Sequence, residues 1–275
     1  FDRSLPVSFS DLTFLFYFLP LFFAVYYIVP FRFKNTVLVL GSAAFYFLGA
    51  GVRDCVLLGA SVVLHYALAR GMEGRTVRAR RALLVFGLCV DLFGLVYFKY
   101  AAFLLENLGK LTGTAFSLVE LALPLGISFY LFQSVGYLID VSRGRPAEKS
   151  FVDFSAFVLA FPQLTMGPIL RYDEWRGALK SRTIAREDIF LGFECFAVGL
   201  CFKVLLADQL APLWASLERI GYGYLSTPLA WLGAVSYSLQ LYFDFSGYSL
   251  MAMGLGQMLG LPCRATLTFR TSPAR

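Results

Sequence analysis

The sequence predicts an all-α, polytopic transmembrane helical bundle with about eight to nine membrane segments. Three observations carry that prediction. First, 58% of the 275 residues are hydrophobic and only 15% charged, too little charge to coat a soluble domain of this length. Second, the apolar residues come in continuous blocks near the roughly 20 residues of helix that cross a hydrocarbon core. Third, the blocks do not alternate in and out over about ten residues, as the strands of a membrane barrel would.

In chain order the blocks are residues 12–29, 35–51, 55–69, 82–98, 123–141, 151–170, 190–206 and 229–260. The third is short and would tilt little or lie partly in the interface. The last is long enough for two helices, and Gly247 is the expected break between them. The first is too long for the core of a cleavable signal and lacks a small-residue cleavage site, so it reads as a retained helix. Residues 1–262 are expected to form one membrane domain, with 263–275 as an atypical tail. Small residues four apart, such as Gly256 and Gly260, predict closely packed helices.

The net charge of +6 resides in the connections, where orientation signals and anionic headgroups account for it. No basic face interleaved with exposed aromatics suggests nucleic acid. Arg70, Arg75, Arg78, Arg80 and Arg81 oppose a single Glu73, which puts that connection on the cytoplasmic side and the N-terminus outside. The connection with Arg32 and Lys34 agrees, and so does 143–149. The connection 171–188 is basic on the wrong side of a strict alternation. A block 151–170 that dips in and returns, broken at Phe161-Pro162-Gln163 and Gly167-Pro168, removes the conflict. Residues 171–188 are expected to form an amphipathic interfacial helix with Trp175 among the headgroups.

Polar side chains at membrane depth mark function or internal packing. The run Gln240-Leu241-Tyr242-Phe243-Asp244-Phe245-Ser246-Gly247-Tyr248-Ser249 places a carboxylate and hydroxyls in an aromatic stretch. Register-holding and cavity lining are weighed equally there. Asp91 lies too far from Lys99 on a helix to pair with it and needs a partner from another helix or water. Glu194 reads as structural, and Lys203 is placed to snorkel. Pro124-Leu125-Gly126 and Phe161-Pro162-Gln163 free backbone groups that can line a cavity. His65, the single histidine, has no acid within four residues and reads as a packing or interfacial histidine. Cys55, Cys89, Cys195, Cys201 and Cys263 form no metal spacing and read as small packing residues.

Six strings in one order resemble the membrane-bound O-acyltransferase family. They are Phe14-Leu15-Phe16-Tyr17-Phe18-Leu19-Pro20; Tyr97-Phe98-Lys99-Tyr100; Leu123-Pro124-Leu125-Gly126-Ile127-Ser128-Phe129-Tyr130, running on to Gly136-Tyr137-Leu138-Ile139-Asp140-Val141; Phe161-Pro162-Gln163 with Gly167-Pro168-Ile169-Leu170-Arg171; Leu206-Ala207-Asp208; and the run from Tyr242 to Ser249. The branch that acetylates alginate and related exopolysaccharides is the most similar. The resemblance implies transfer of an acyl group from a cytoplasmic thioester donor (acyl-CoA or acyl carrier protein) to a polysaccharide hydroxyl outside the bacterial inner membrane, with extracytoplasmic partner proteins. Gln133, Tyr137, Gln163, Tyr242, Asp244 and Ser246 are the implied substrate-path residues. The family's histidines, in Trp-His-Gly and Trp-Arg-Arg-Trp contexts, follow the tyrosine–aspartate–serine run. No counterpart is present here and His65 inherits no role, so the chain is expected to be an inactive fragment with no catalytic residue of its own. Leu250, Ser142 and Phe202 depart from the family's usual acidic, tyrosine and basic residues.

Residues 263–271 are unlike the family, yet codons exist for them that spell a family-like stretch in a shifted frame. The tail is therefore expected to be a frameshift product. Two other readings are kept: a transporter or channel using Asp91, Glu194 and Asp244, and a non-catalytic scaffold. No metal is expected.

Overall fold

The computed structural model describes residues 8–113, 122–164, 167, 170–221 and 224–262. The tail at 263–275 lies outside them, as do Thr165, Met166, Pro168 and Ile169 of the expected break. Every regular element among the described residues is helical. The order is α1 (Leu19–Ile28), α2 (Phe31–Met72), α3 (Val77–Leu95), α4 (Ala101–Thr112), α5 (Ile127–Ser142), α6 (Phe151–Leu159), α7 (Phe161–Leu164), α8 (Tyr172–Lys180), α9 (Arg186–Cys201), α10 (Asp208–Ile220) and α11 (Thr227–Met258). Three wider π-helical turns, Phe14–Phe18, Val96–Tyr100 and Phe202–Ala207, lead into α1, α4 and α10 without ending the helical path. Such turns shift a side chain out of register while keeping the backbone bonded.

Among the described residues, three helical stretches have the length and apolarity to cross a bilayer: Phe31–Met72, Val77–Thr112 and Arg186–Ile220. This is fewer than the block count because the blocks merge or fall short. Blocks 35–51 and 55–69 are one 42-residue helix, α2, interrupted only at Gly51, whose φ of 80° glycine alone adopts cheaply. Block 151–170 divides into α6, of nine residues, and α7, of four. At 1.5 Å per residue neither spans about 30 Å of hydrocarbon.

The chain forms two compact units. One is built from residues 21–28 and α2 to α7, the other from residues 8–20 and α8 to α11. In the first, α2 and α3 are an antiparallel hairpin. Its register is read from Gly71 beside Leu83, Leu68 beside Gly87 and His65 beside Asp91. Helices α5 and α6 pack on that hairpin, and Phe22, Phe45 and Phe161 interlock around the α6–α7 break.

In the second unit α9 and α11 run antiparallel with their backbones in contact. A Cβ on Gly192 would stand 2.7 Å from the Gly254 carbonyl oxygen, and one on Gly247 2.7 Å from that of Gly199. Both pairs are seven residues apart on each helix, two turns, so glycine repeats on one face. The expected break at Gly247 is absent. Helix α11 runs unbroken through it for 32 residues, because Gly247 serves close packing and not a change of direction. Helix α8 is amphipathic, as expected. Yet Trp175 is fully buried in protein, with Tyr172 and Leu179, and does not reach out to headgroups.

Candidate functional site

The polar residues singled out by sequence fall into separate clusters. In the first unit Gln133 and Gln163 meet. Helix α6 stops at Ala160, ahead of Pro162, so the helical bond from Phe161 N–H to the Phe157 carbonyl is not made. Each orphaned group takes a side chain instead. Phe161 N–H donates to Ser42 Oγ at 3.0 Å. Gln133 Nε2 donates to the Phe157 carbonyl at 3.0 Å and to Gln163 Oε1 at 3.1 Å. All five residues are buried, where an unpaired backbone group costs about 1–3 kcal/mol. Tyr137, one turn along α5, is also buried. It packs on Phe154 with ring centroids 4.8 Å apart, and its hydroxyl accepts from Glu148 N–H at 2.8 Å. Ser42 was missed from sequence, since a serine in an apolar run carries no local sign of the break it serves.

In the second unit the α9–α11 register continues into the π turn and sets Lys203 against Asp244. Lys203 Nζ lies 2.7 Å from Asp244 Oδ1 and 2.9 Å from Asp208 Oδ1. Lys203 therefore bridges two carboxylates and does not snorkel away from them. The trio carries a formal net charge of −1; Lys203 and Asp244 are half-buried and Asp208 is exposed. Phe202, where the family usually has a second base, sets its ring edge-on to Phe243, with centroids 5.5 Å apart, beside this trio. Tyr242, Asp244 and Ser246 do not converge, because α11 is unbroken. Tyr242 is 60% exposed, and Ser246 is half-buried. Tyr248 is buried instead, stacked on Phe9 at 4.5 Å. Glu194 is exposed on α9.

Asp91 finds its partner in His65. Both are buried, and His65 Nε2 lies 3.0 Å from Asp91 Oδ2. His65 Nδ1 lies 2.7 Å from the Ser61 carbonyl oxygen. A carbonyl only accepts, so Nδ1 carries a proton. A second proton then lies between Nε2 and Oδ2, whether the pair is imidazolium with carboxylate or imidazole with carboxylic acid. Either description is net neutral, which suits burial. Ser61 Oγ is 3.3 Å from Nδ1, but that nitrogen already bears its proton and cannot take one from the hydroxyl. Ser61, His65 and Asp91 are thus a structural set and not a nucleophilic triad.

Among the described residues no group of three or more His, Cys, Asp or Glu side chains could hold a metal ion. Cys55, Cys89, Cys195 and Cys201 are free thiols, and Cys195 donates to the Leu250 carbonyl at 3.3 Å. Cys263 lies outside the described residues.

No family model matches the chain. Individual relatives do. It is 41% identical over 265 residues to a probable alginate O-acetylase of Azotobacter vinelandii, covering 92% of this chain and 51% of that protein. It is 43% identical over 262 residues to a probable alginate O-acetylase of Pseudomonas putida, covering 92% and 53%. A peptidoglycan O-acetyltransferase of Helicobacter pylori is 34% identical over 288 residues, covering 92% and 54%. The chain spans about half the length of the curated relatives it matches. The resemblance to the membrane-bound O-acyltransferase family is thus borne out, by membrane-length apolar helices and by 34–43% identity to these O-acetylating proteins along 92% of the chain.

Proposed function

We propose that the complete protein transfers an acyl group, acetyl by analogy with its relatives, from a thioester donor to a hydroxyl of an extracellular polysaccharide such as alginate. The observation that carries this reading is the 41–43% identity to alginate O-acetylases over 92% of the chain. The donor is an acyl-CoA or an acyl carrier protein on the cytoplasmic side. The protein sits in the bacterial inner membrane with its N-terminus outside, and extracytoplasmic proteins assist transfer. The relatives named above are transferases, and none suggests the transporter alternative.

Acyl transfer to a hydroxyl needs a group that removes the hydroxyl proton as the new ester bond forms and the thiolate leaves. In this chain the single imidazole is engaged at both nitrogens. The Asp244 carboxylate is engaged by Lys203. We therefore assign no base to the chain. Gln133, Tyr137, Gln163, Tyr242, Asp244 and Ser246 remain the proposed substrate-path residues. Tyr242, 60% exposed, is the most accessible of the six.

The test is a chimera. This chain replaces the matching half of an alginate O-acetylase in cells that have lost acetylation. Restored acetyl ester on the polysaccharide supports the reading. A chimera that is inserted and abundant yet leaves the polymer unacetylated overturns it. The purified chain in proteoliposomes, with thioester inside and polysaccharide outside, should transfer nothing above background.

A further inference from the structure

Two basic connections, some 65 residues apart in sequence, come together at one end of the first unit. One is the α2–α3 turn and first turns of α3, residues 70–81. The other is the α5–α6 connection, residues 143–149. A Cβ built on Gly144 would lie 3.6 Å from an Arg80 guanidinium nitrogen, so Arg80 reaches from α3 onto the second connection. Tyr66 of α2 donates its hydroxyl to the Lys149 carbonyl at 2.6 Å and ties the other side.

These two segments carry eight basic residues and two acidic ones. Both acids are engaged locally: Glu73 pairs with Arg70, and Glu148 accepts from the backbone N–H groups of Lys149 and Ser150. Of the flanking carboxylates, Asp153 is held by Asn35 at 2.7 Å and Asp140 is half-buried on α5. Arg75, Arg78, Arg81, Arg143, Arg145 and Lys149 are exposed. The first turn of α3 contains no acidic residue, so its arginines crowd the positive end of the helix dipole. The fold thus gathers cations where both their mutual repulsion and the dipole oppose it, which favours a bound anion.

The location says which anion. The patch lies where α2 ends and the Val77–Thr112 stretch begins, both long and apolar enough to span, and the ends of spanning helices are where lipid phosphates sit. Seven of the eight cations are arginine, the side chain whose fork matches a phosphate in two-point geometry. We propose that this face binds the phosphate headgroups of anionic phospholipids. The proposal stands apart from the acyl-transfer reading.

The test is native mass spectrometry of the detergent-purified chain titrated with phosphatidylglycerol or phosphatidylcholine. Discrete phosphatidylglycerol adducts, preferred over phosphatidylcholine, are expected. Arg78→Gln, Arg81→Gln and Arg143→Gln should each weaken that binding by roughly fivefold, and high salt should weaken it further. Equal uptake of the two lipids overturns the proposal, as does unchanged phosphatidylglycerol binding in a variant that combines all three substitutions. Inorganic phosphate that displaces the lipid at the same concentration makes this a free-anion site and also overturns it. Binding of an acidic soluble protein with no lipid preference does the same. The comparison of lipids on the unmodified chain decides even if a variant does not fold.

Discussion

Replacing Asp91 by alanine tests the hairpin of α2 and α3 most directly. The carboxyl is buried and sits 3.0 Å from the Nε2 of a fully buried imidazole. Removing it leaves that nitrogen without its partner in an apolar surround. Breaking a buried pair by deleting one member costs about 3–5 kcal/mol where the partner is left charged, and about 1–3 kcal/mol where it is neutral. Asp91→Asn is the informative contrast. Its amide N–H can donate to Nε2 while Nδ1–H stays on the Ser61 carbonyl, so its cost should stay near or below about 1 kcal/mol. The paired change His65→Leu with Asp91→Leu removes both polar groups together. It should cost less than either single change to alanine, because no buried group is left unmatched. Unfolding in mild detergent reports the free energies. Because His65 is the single histidine, one ¹⁵N-labelled imidazole reports the tautomer with no assignment problem. The expected Asp91→Asn spectrum is a neutral imidazole protonated at Nδ1. Asp91→Ala within about 0.5 kcal/mol of the unmodified chain, below the usual cost of an orphaned group, would refute the reasoning. So would an Nδ1 that carries no proton.

The other predictions concern packing and polar satisfaction. Gly199→Ala should destabilise by about 1–3 kcal/mol, since the new Cβ would meet the Gly247 carbonyl at 2.5 Å, whereas Gly59→Ala, with nothing within 4 Å, should be neutral or slightly stabilising; parallel unfolding curves decide. Ser42→Ala should cost about 1–3 kcal/mol by orphaning the Phe161 N–H, and faster amide exchange at Phe161 should accompany the loss. Lys203→Met leaves Asp208 and Asp244 facing each other without their cation. The cost is about 1 kcal/mol or less, because the trio is partly open to solvent, and adding Asp244→Asn should recover part of it.

The helical membrane class was legible from composition and block length alone, because every backbone group in a bilayer must bond within its own segment and long apolar runs then leave helix as the solution. The family was legible from the order of short strings such as Leu123-Pro124-Leu125-Gly126 and Tyr242–Ser249. The helix break ahead of Pro162 was legible too, since proline has no N–H to continue the ladder. What each isolated polar residue does was not. Asp91 was expected to need a partner from another helix or water, and the choice of His65 depends on how α2 and α3 are registered. Lys203 met Asp244 only because glycines at 192, 199, 247 and 254 let two backbones touch in one alignment. Gly247 looked like a break and proved to be a contact. Local rules dictate which segments are helical; which side chains face one another depends on crossing and register, and those are decided by packing between segments distant in sequence.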